Sequence, residues 1–104
     1  MAARLRAVVW ATSARTALDD VIGYIAQDST NRALDVLRQT LDAAASLDRL
    51  ADRGRIVPEL GDPAIRELFV FKYRLIYRVE SHQVVIVAFL HGARDFASWR
   101  RAQS

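Results

Sequence analysis

Apolar residues recur along this chain with two different periods, and the change between them divides it. Ala14, Leu18, Val21, Ile22 and Ile25 fall at three- and four-residue steps, which places them on one face of a helix running to about Gln27. Ala33, Leu34, Leu37, Leu41, Ala44 and Leu47 repeat that pattern, with Arg32, Asp35, Arg38 and Asp42 mostly on the opposite side. Thr12 and Ser13 before the first helix, and Asp28-Ser29-Thr30-Asn31 before the second, carry side-chain oxygens suited to accept free amides of a first helical turn. Two amphipathic helices joined by so short a break form an antiparallel hairpin. Neither can bury its stripe alone.

Strand-like segments supply the cover. Leu5–Trp10 is short and β-branched, and Gly54, Pro58, Gly61 and Pro63 mark residues 53–63 as a loop. Ile65–Phe71, Tyr73–Val79 and Gln83–His91 follow, rich in Val, Ile, Phe and Tyr, with Glu80-Ser81-His82 as a hairpin-sized connection. In the middle one, alternation puts Tyr73, Leu75, Tyr77 and Val79 on one face and Arg74, Ile76 and Arg78 on the other. The first set belongs against the helices, as core, and the arginine set against solvent or a ligand. Gln83–His91 is apolar on both faces through Leu90, as expected of an interior strand. The order β-α-α-β-β-β predicts an α+β fold, a helical hairpin packed on an antiparallel sheet, with the N-terminal strand beside a C-terminal one.

Composition narrows the class. The 104 residues, 52% hydrophobic, suit one domain over 1–104 with a filled core. With no cysteine there is no disulfide framework and no thiolate zinc site, which fits a reducing compartment. The longest apolar run, Val84 to Leu90, is far short of the ~20 residues of a membrane span, and the first six residues hold no secretory-type apolar stretch. The expectation is a cytosolic globular domain. Charge is uneven: residues 1–52 carry six Arg against seven Asp, net −1, whereas residues 53–104 carry eight Arg and Lys72 against two Asp and three Glu, net +4. A basic half is what an acidic or nucleic-acid partner requires.

Few chemistries survive inspection. His82 and His91 are the only imidazoles and have no metal-ligand spacing, so neither a metal nor another cofactor is expected. No glycine-rich phosphate loop or serine–histidine arrangement is present, and Asp19-Asp20 reads as a solvated helix face. What remains is a cationic cluster: Arg66, Lys72, Arg74, Arg78, His91 and Arg94. It serves either as a solvated surface that deters edge pairing or, since Arg74 and Arg78 lie two pleats apart, as a site for phosphates or carboxylates.

Gly54-Arg55-Ile56-Val57-Pro58-Glu59-Leu60, Ile65-Arg66-Glu67-Leu68, Tyr73-Arg74-Leu75-Ile76-Tyr77-Arg78-Val79 and His91-Gly92-Ala93-Arg94-Asp95 resemble, in order, the sequence blocks of RelE/ParE-superfamily toxins. Val9-Trp10 ahead of a helix, and Tyr24-Ile25-Ala26 followed by Asp28, add to the likeness. The resemblance implies the toxin of a type II toxin–antitoxin pair, held inactive by a ParD-like antitoxin whose C-terminal segment wraps the domain. RelE-like members cleave mRNA on the ribosome; here Arg74 matches their Tyr-Arg-Leu block, and Arg66, Arg78 and Arg94 would assist. The second strand lacks their lysine-rich stretch, however, and the tail has no Tyr. Arginine also holds phosphate charge well but stays protonated, and so is a poor base. ParE-like members poison DNA gyrase, and their third strand commonly ends like His91 to Asp95. The reading is therefore ParE-like, with Arg66, Arg74, Arg78, His91 and Arg94 as partner or toxicity residues and no catalytic residue assigned. An inactive antitoxin-binding remnant is the third alternative, and direct nucleic-acid binding a secondary one.

Overall fold

The computed structural model describes residues 5–103. Strand β1 (Ala7–Trp10) leads into helices α1 (Thr12–Ala26) and α2 (Thr30–Ser46). Strands β2 (Arg55–Ile56), β3 (Ile65–Val70), β4 (Tyr73–Val79) and β5 (Gln83–His91) follow, and helix α3 (Gly92–Ala102) ends the chain. Among the described residues the strands form one sheet in the order β1-β5-β4-β3-β2. The α+β architecture is as expected, and the N-terminal strand does join the last one. That pair runs parallel, Ala7 opposite Gln83 through Trp10 opposite Ile86, so the sheet is mixed rather than wholly antiparallel. No helix among the described residues is long and apolar enough to cross a membrane.

The hairpin α1–α2 covers one face of the sheet. Leu18, Val36, Leu47, Tyr73, Leu75, Tyr77, Val84, Ile86 and Phe89 form the main core there, and Tyr73 stacks on Phe89 with ring centroids 5.1 Å apart. Ile86 and Phe89 would point to opposite faces in a regular strand. A register shift between β4 and β5 at Ile76/Tyr77 lets one extra β5 residue pass and brings both into the same core. The other face carries a second core of Val57, Ile76, Ala88 and Phe96.

Three expectations change. Helix α1 starts one residue early: its cap is Ala11, with no side-chain bond, and Thr12 and Ser13 lie in the first turn. Ser29 does cap α2, accepting from the Arg32 amide at 3.1 Å. The buried stripe of α2 is Ala33, Val36, Thr40 and Ala44, leaving Leu34 and Leu41 about half exposed. Thr40 is tolerated inside because its hydroxyl donates to the Val36 carbonyl at 2.7 Å. Finally, residues 92–102 are helical. Gly92, at φ +80°, turns the chain out of β5, a conformation that costs glycine little.

The start of the 53–63 segment is pinned by Gly54. A Cβ there would lie 2.5 Å from Tyr77 Oη and 2.6 Å from the Glu67 carbonyl oxygen. Backbone oxygen in a sheet cannot yield as a flexible side chain would. Gly54→Ala is therefore expected to destabilise the fold by at least the ~1–3 kcal/mol typical of overpacking, read as a lower urea midpoint.

Candidate functional site

The cationic sheet face is not open. Leu68 and Val70 point into the helix-side core, so alternation sends Glu67 and Phe69 to the opposite face, beside Arg74 and Ile76 of β4. Over that face lie α3 and the segment from Val57 to Leu60. Arg74 is buried beneath them. Its Nε donates to Glu67 Oε1 at 2.6 Å, and its Nη1 and Nη2 donate to the two carboxylate oxygens of Glu59 at 2.8 and 2.7 Å. Its guanidinium carbon sits 4.9 Å from the centroid of the Phe96 ring. Glu67, whose side chain is 0% exposed, also accepts from Arg55 Nε at 2.7 Å. The Arg55 guanidinium in turn lies over Phe69, 5.0 Å from the ring centroid. Two arginines and two glutamates thus form a neutral chain across β2, β3, β4 and the covering loop.

The geometry sets the charges. The Arg74 guanidinium holds the Glu59 carboxyl down, from 4.5 to about 2, against an opposing push from burial. Paired with both glutamates, Arg74 is itself held more firmly protonated than usual. A carboxyl lowered by folding stabilises the native state fully above its unfolded value and loses that contribution as pH falls through its folded one. Stability is therefore expected to fall between about pH 4.5 and pH 2. Glu59→Gln should flatten that slope, measured as urea midpoint against pH.

Of the five predicted site residues, the four whose side chains are described, Arg66, Arg74, Arg78 and His91, do not converge. Arg66 lies on the helix-side face of β3, opposite Tyr77. There it ties down the loop, donating to the carbonyls of Pro63 and Gly54 at 3.0 Å each. Arg78 shares the face of Arg74 as expected, and its side chain is 46% exposed, but it bonds Glu80 at 2.8 Å. His91 is exposed at the start of α3, its ring 5.5 Å from that of Tyr73. Its backbone N–H donates to the Asp95 carboxylate at 3.2 Å, so Asp95 serves the first turn of α3, where a negative charge is favoured. The Arg94 side chain lies outside the described residues.

Arg74 was expected to be exposed and free, and here the structure corrects the sequence reading. Nε, Nη1 and Nη2 each already donate to Glu67 or Glu59, and a phosphate could take those bonds only by breaking buried ion pairs. Glu59 and Glu67 are the members of the site that sequence reasoning missed. One signal was present: Glu67 is the one carboxylate in the otherwise mainly apolar Ile65–Phe71, and a carboxylate that such a strand buries needs a cation.

A helical hairpin on one face of a mixed sheet, with the other face closed by a terminal helix over an Arg–Glu chain, defines the class of protein. The model of the family described as the ParE toxin of type II toxin-antitoxin system, parDE, matches residues 8–96. The chain belongs to that family. Among solved structures it is similar to one described as the chromosomal ParDE TA system from P. aeruginosa. The identity there is 18%, the TM-score 0.69, and the match covers 86% of this chain and 98% of that one; a likeness this distant speaks for the fold. Comparison with curated proteins finds no match.

Proposed function

We propose that this ParE-family toxin acts without catalysis, by inhibiting DNA gyrase, and is neutralised by a cognate ParD-like antitoxin. The observation that supports this best is the engagement of Arg74. Metal-independent RNA cleavage needs cations free to hold a pentacovalent phosphate and a group able to take the 2′-hydroxyl proton. On this sheet face the principal arginine is already bound to Glu59 and Glu67 beneath Phe96. A protein acting by surface contact has no such need. The net charge of +3 suits an acidic antitoxin segment, which gains both attraction and partner selection from complementary charge. Induced expression tests the reading. Gyrase inhibition should give filamentous cells and a DNA-damage response, with loss of supercoiling by purified gyrase. A rapid translation stop with cleaved messages would instead identify a ribonuclease, and no growth effect an inactive remnant.

A further inference from the structure

The two edges of the sheet differ. At one edge β2 is two residues long and carries Arg55, and shortness and charge both discourage a further strand. At the other, β1 is Ala7-Val8-Val9-Trp10, in regular register and with no charge or proline. Its pairing with β5 fixes which backbone groups are spare. Ala7 donates to the His82 carbonyl at 3.2 Å and Ala11 to that of Ile86 at 2.9 Å. The N–H and C=O groups of Ala7 and Val9 therefore face β5, and those of Val8 and Trp10 face away from it. Among the described residues they meet no partner there. The Asp48 carbonyl takes the Arg6 amide at 2.9 Å and α1 begins at Thr12, so the open stretch is Val8 to Trp10.

Apolar side chains accompany that edge into water. Val8 and Trp10 pack against the helix-side core, so Ala7 and Val9 face the other way. Both are exposed, as is Leu5 just before them. Helix α3 and the Val57–Leu60 segment gather over Ile76 and Ala88 instead, and Ala7 and Val9 belong to neither core. We infer that β1 is the seam of a homodimer, two chains pairing β1 with β1, antiparallel, about a two-fold axis at Val9. The edge is its own complement. Val8 of each chain exchanges both N–H···O bonds with Trp10 of the other, and the two Val9 residues meet between these pairs without bonds of their own. No side chain in Ala7–Trp10 is repelled by its copy. The assembly also closes at two chains, because pairing uses up both β1 edges and leaves only the short, charged β2 edges outside. The inference stands on the fold and is independent of the gyrase target and of the antitoxin.

The test is sedimentation equilibrium of the purified full chain at micromolar concentration, with folding followed by circular dichroism. The wild type should sediment at twice the mass of one chain. Val8→Pro deletes the outward N–H, a change an edge strand tolerates, and should weaken the dimer at least fivefold through the lost bonds. Val9→Lys, on the exposed face, sets like charges directly opposite each other and should weaken it similarly while the chain stays folded; it guards against a misfolded Val8→Pro. The chain has no cysteine, so Val9→Cys carries a single thiol. An unbonded antiparallel pair holds its Cα atoms about 4.5 Å apart, within the reach of a disulfide. Val9→Cys should therefore oxidise to a linked dimer much faster than Ser98→Cys on α3. A dimer that folded Val9→Lys leaves within fivefold of the wild type, or equal linking of the two thiols, overturns the β1 seam. A wild type that is monomeric overturns the homodimer, and the Val9→Cys thiol becoming shielded only when antitoxin is added would assign the edge to that partner instead.

Discussion

Arg74→Ala is expected to destabilise the domain by about 3–5 kcal/mol, the cost of removing one partner from a buried ion pair. Glu67 is the reason. Its carboxylate is fully buried, and without Arg74 it keeps only Arg55, whose side chain is 55% exposed. Glu59 loses both of its guanidinium bonds, and Phe96 loses the cation above its ring. Total stabilities are about 5–15 kcal/mol, so much of the population would unfold, and the melting temperature should fall by well over 10 °C, at ~4–8 °C per kcal/mol for a domain near this size. The double change Arg74→Leu with Glu67→Leu should recover a large share, because replacing both members by apolar groups removes the orphaned charge. Arg78→Ala, in contrast, should stay within about 0.5 kcal/mol, as exposed positions usually do. Equal melts for Arg74→Ala and Arg78→Ala would contradict the buried network. Lost toxicity in Arg74→Ala therefore reports folding before it reports any contact, and toxicity assays on this residue need a stability measurement beside them.

Tyr77→Ala is the second large effect. The ring is fully buried at the centre of the main core, and truncating a buried aromatic costs about 3–5 kcal/mol. The hydroxyl adds to this. It donates to the Ala51 carbonyl at 2.7 Å and accepts from the Gly54 amide at 2.9 Å, tying the end of the helical hairpin to the loop that enters β2. Tyr77→Phe keeps the ring and leaves both backbone groups unpaired, at about 1–3 kcal/mol for a buried unsatisfied group. The difference between the two variants in urea unfolding separates packing from hydrogen bonding. If Tyr77→Phe proves neutral, the Ala51–Gly54 tie contributes nothing to the fold. Gly54→Ala meets the same oxygen from the other side, so the two sites should be strongly non-additive.

What could be read from the sequence was what local periodicity controls. Ala14 to Ile25 and Ala33 to Leu47 are helical because their apolar residues repeat every three or four positions, and Ile65 to His91 is β because its residues suit a pleated surface. Tyr73 and Tyr77 were legible as core from alternation alone, and both are buried. The ParE-like blocks were legible too, and Gly54 now has a physical meaning in the first of them. Other features were settled only when distant segments met. The parallel direction of β1 depends on where an N-terminal strand lands beside β5, and no local pattern encodes that. Helix α3 has only Phe96 and Trp99 as an apolar stripe, too little to announce a helix before the sheet face is there to receive it. Leu34 and Leu41 gave way to Val36 and Thr40 because helix rotation is decided by the sheet beneath. Arg74 shows the division most clearly. Alternation placed it on the correct face, but whether that face meets water depends on Glu59, fifteen residues away, and on Phe96. A charge is exposed by default in a sequence and buried only when its partners arrive, and their arrival is a property of the tertiary structure.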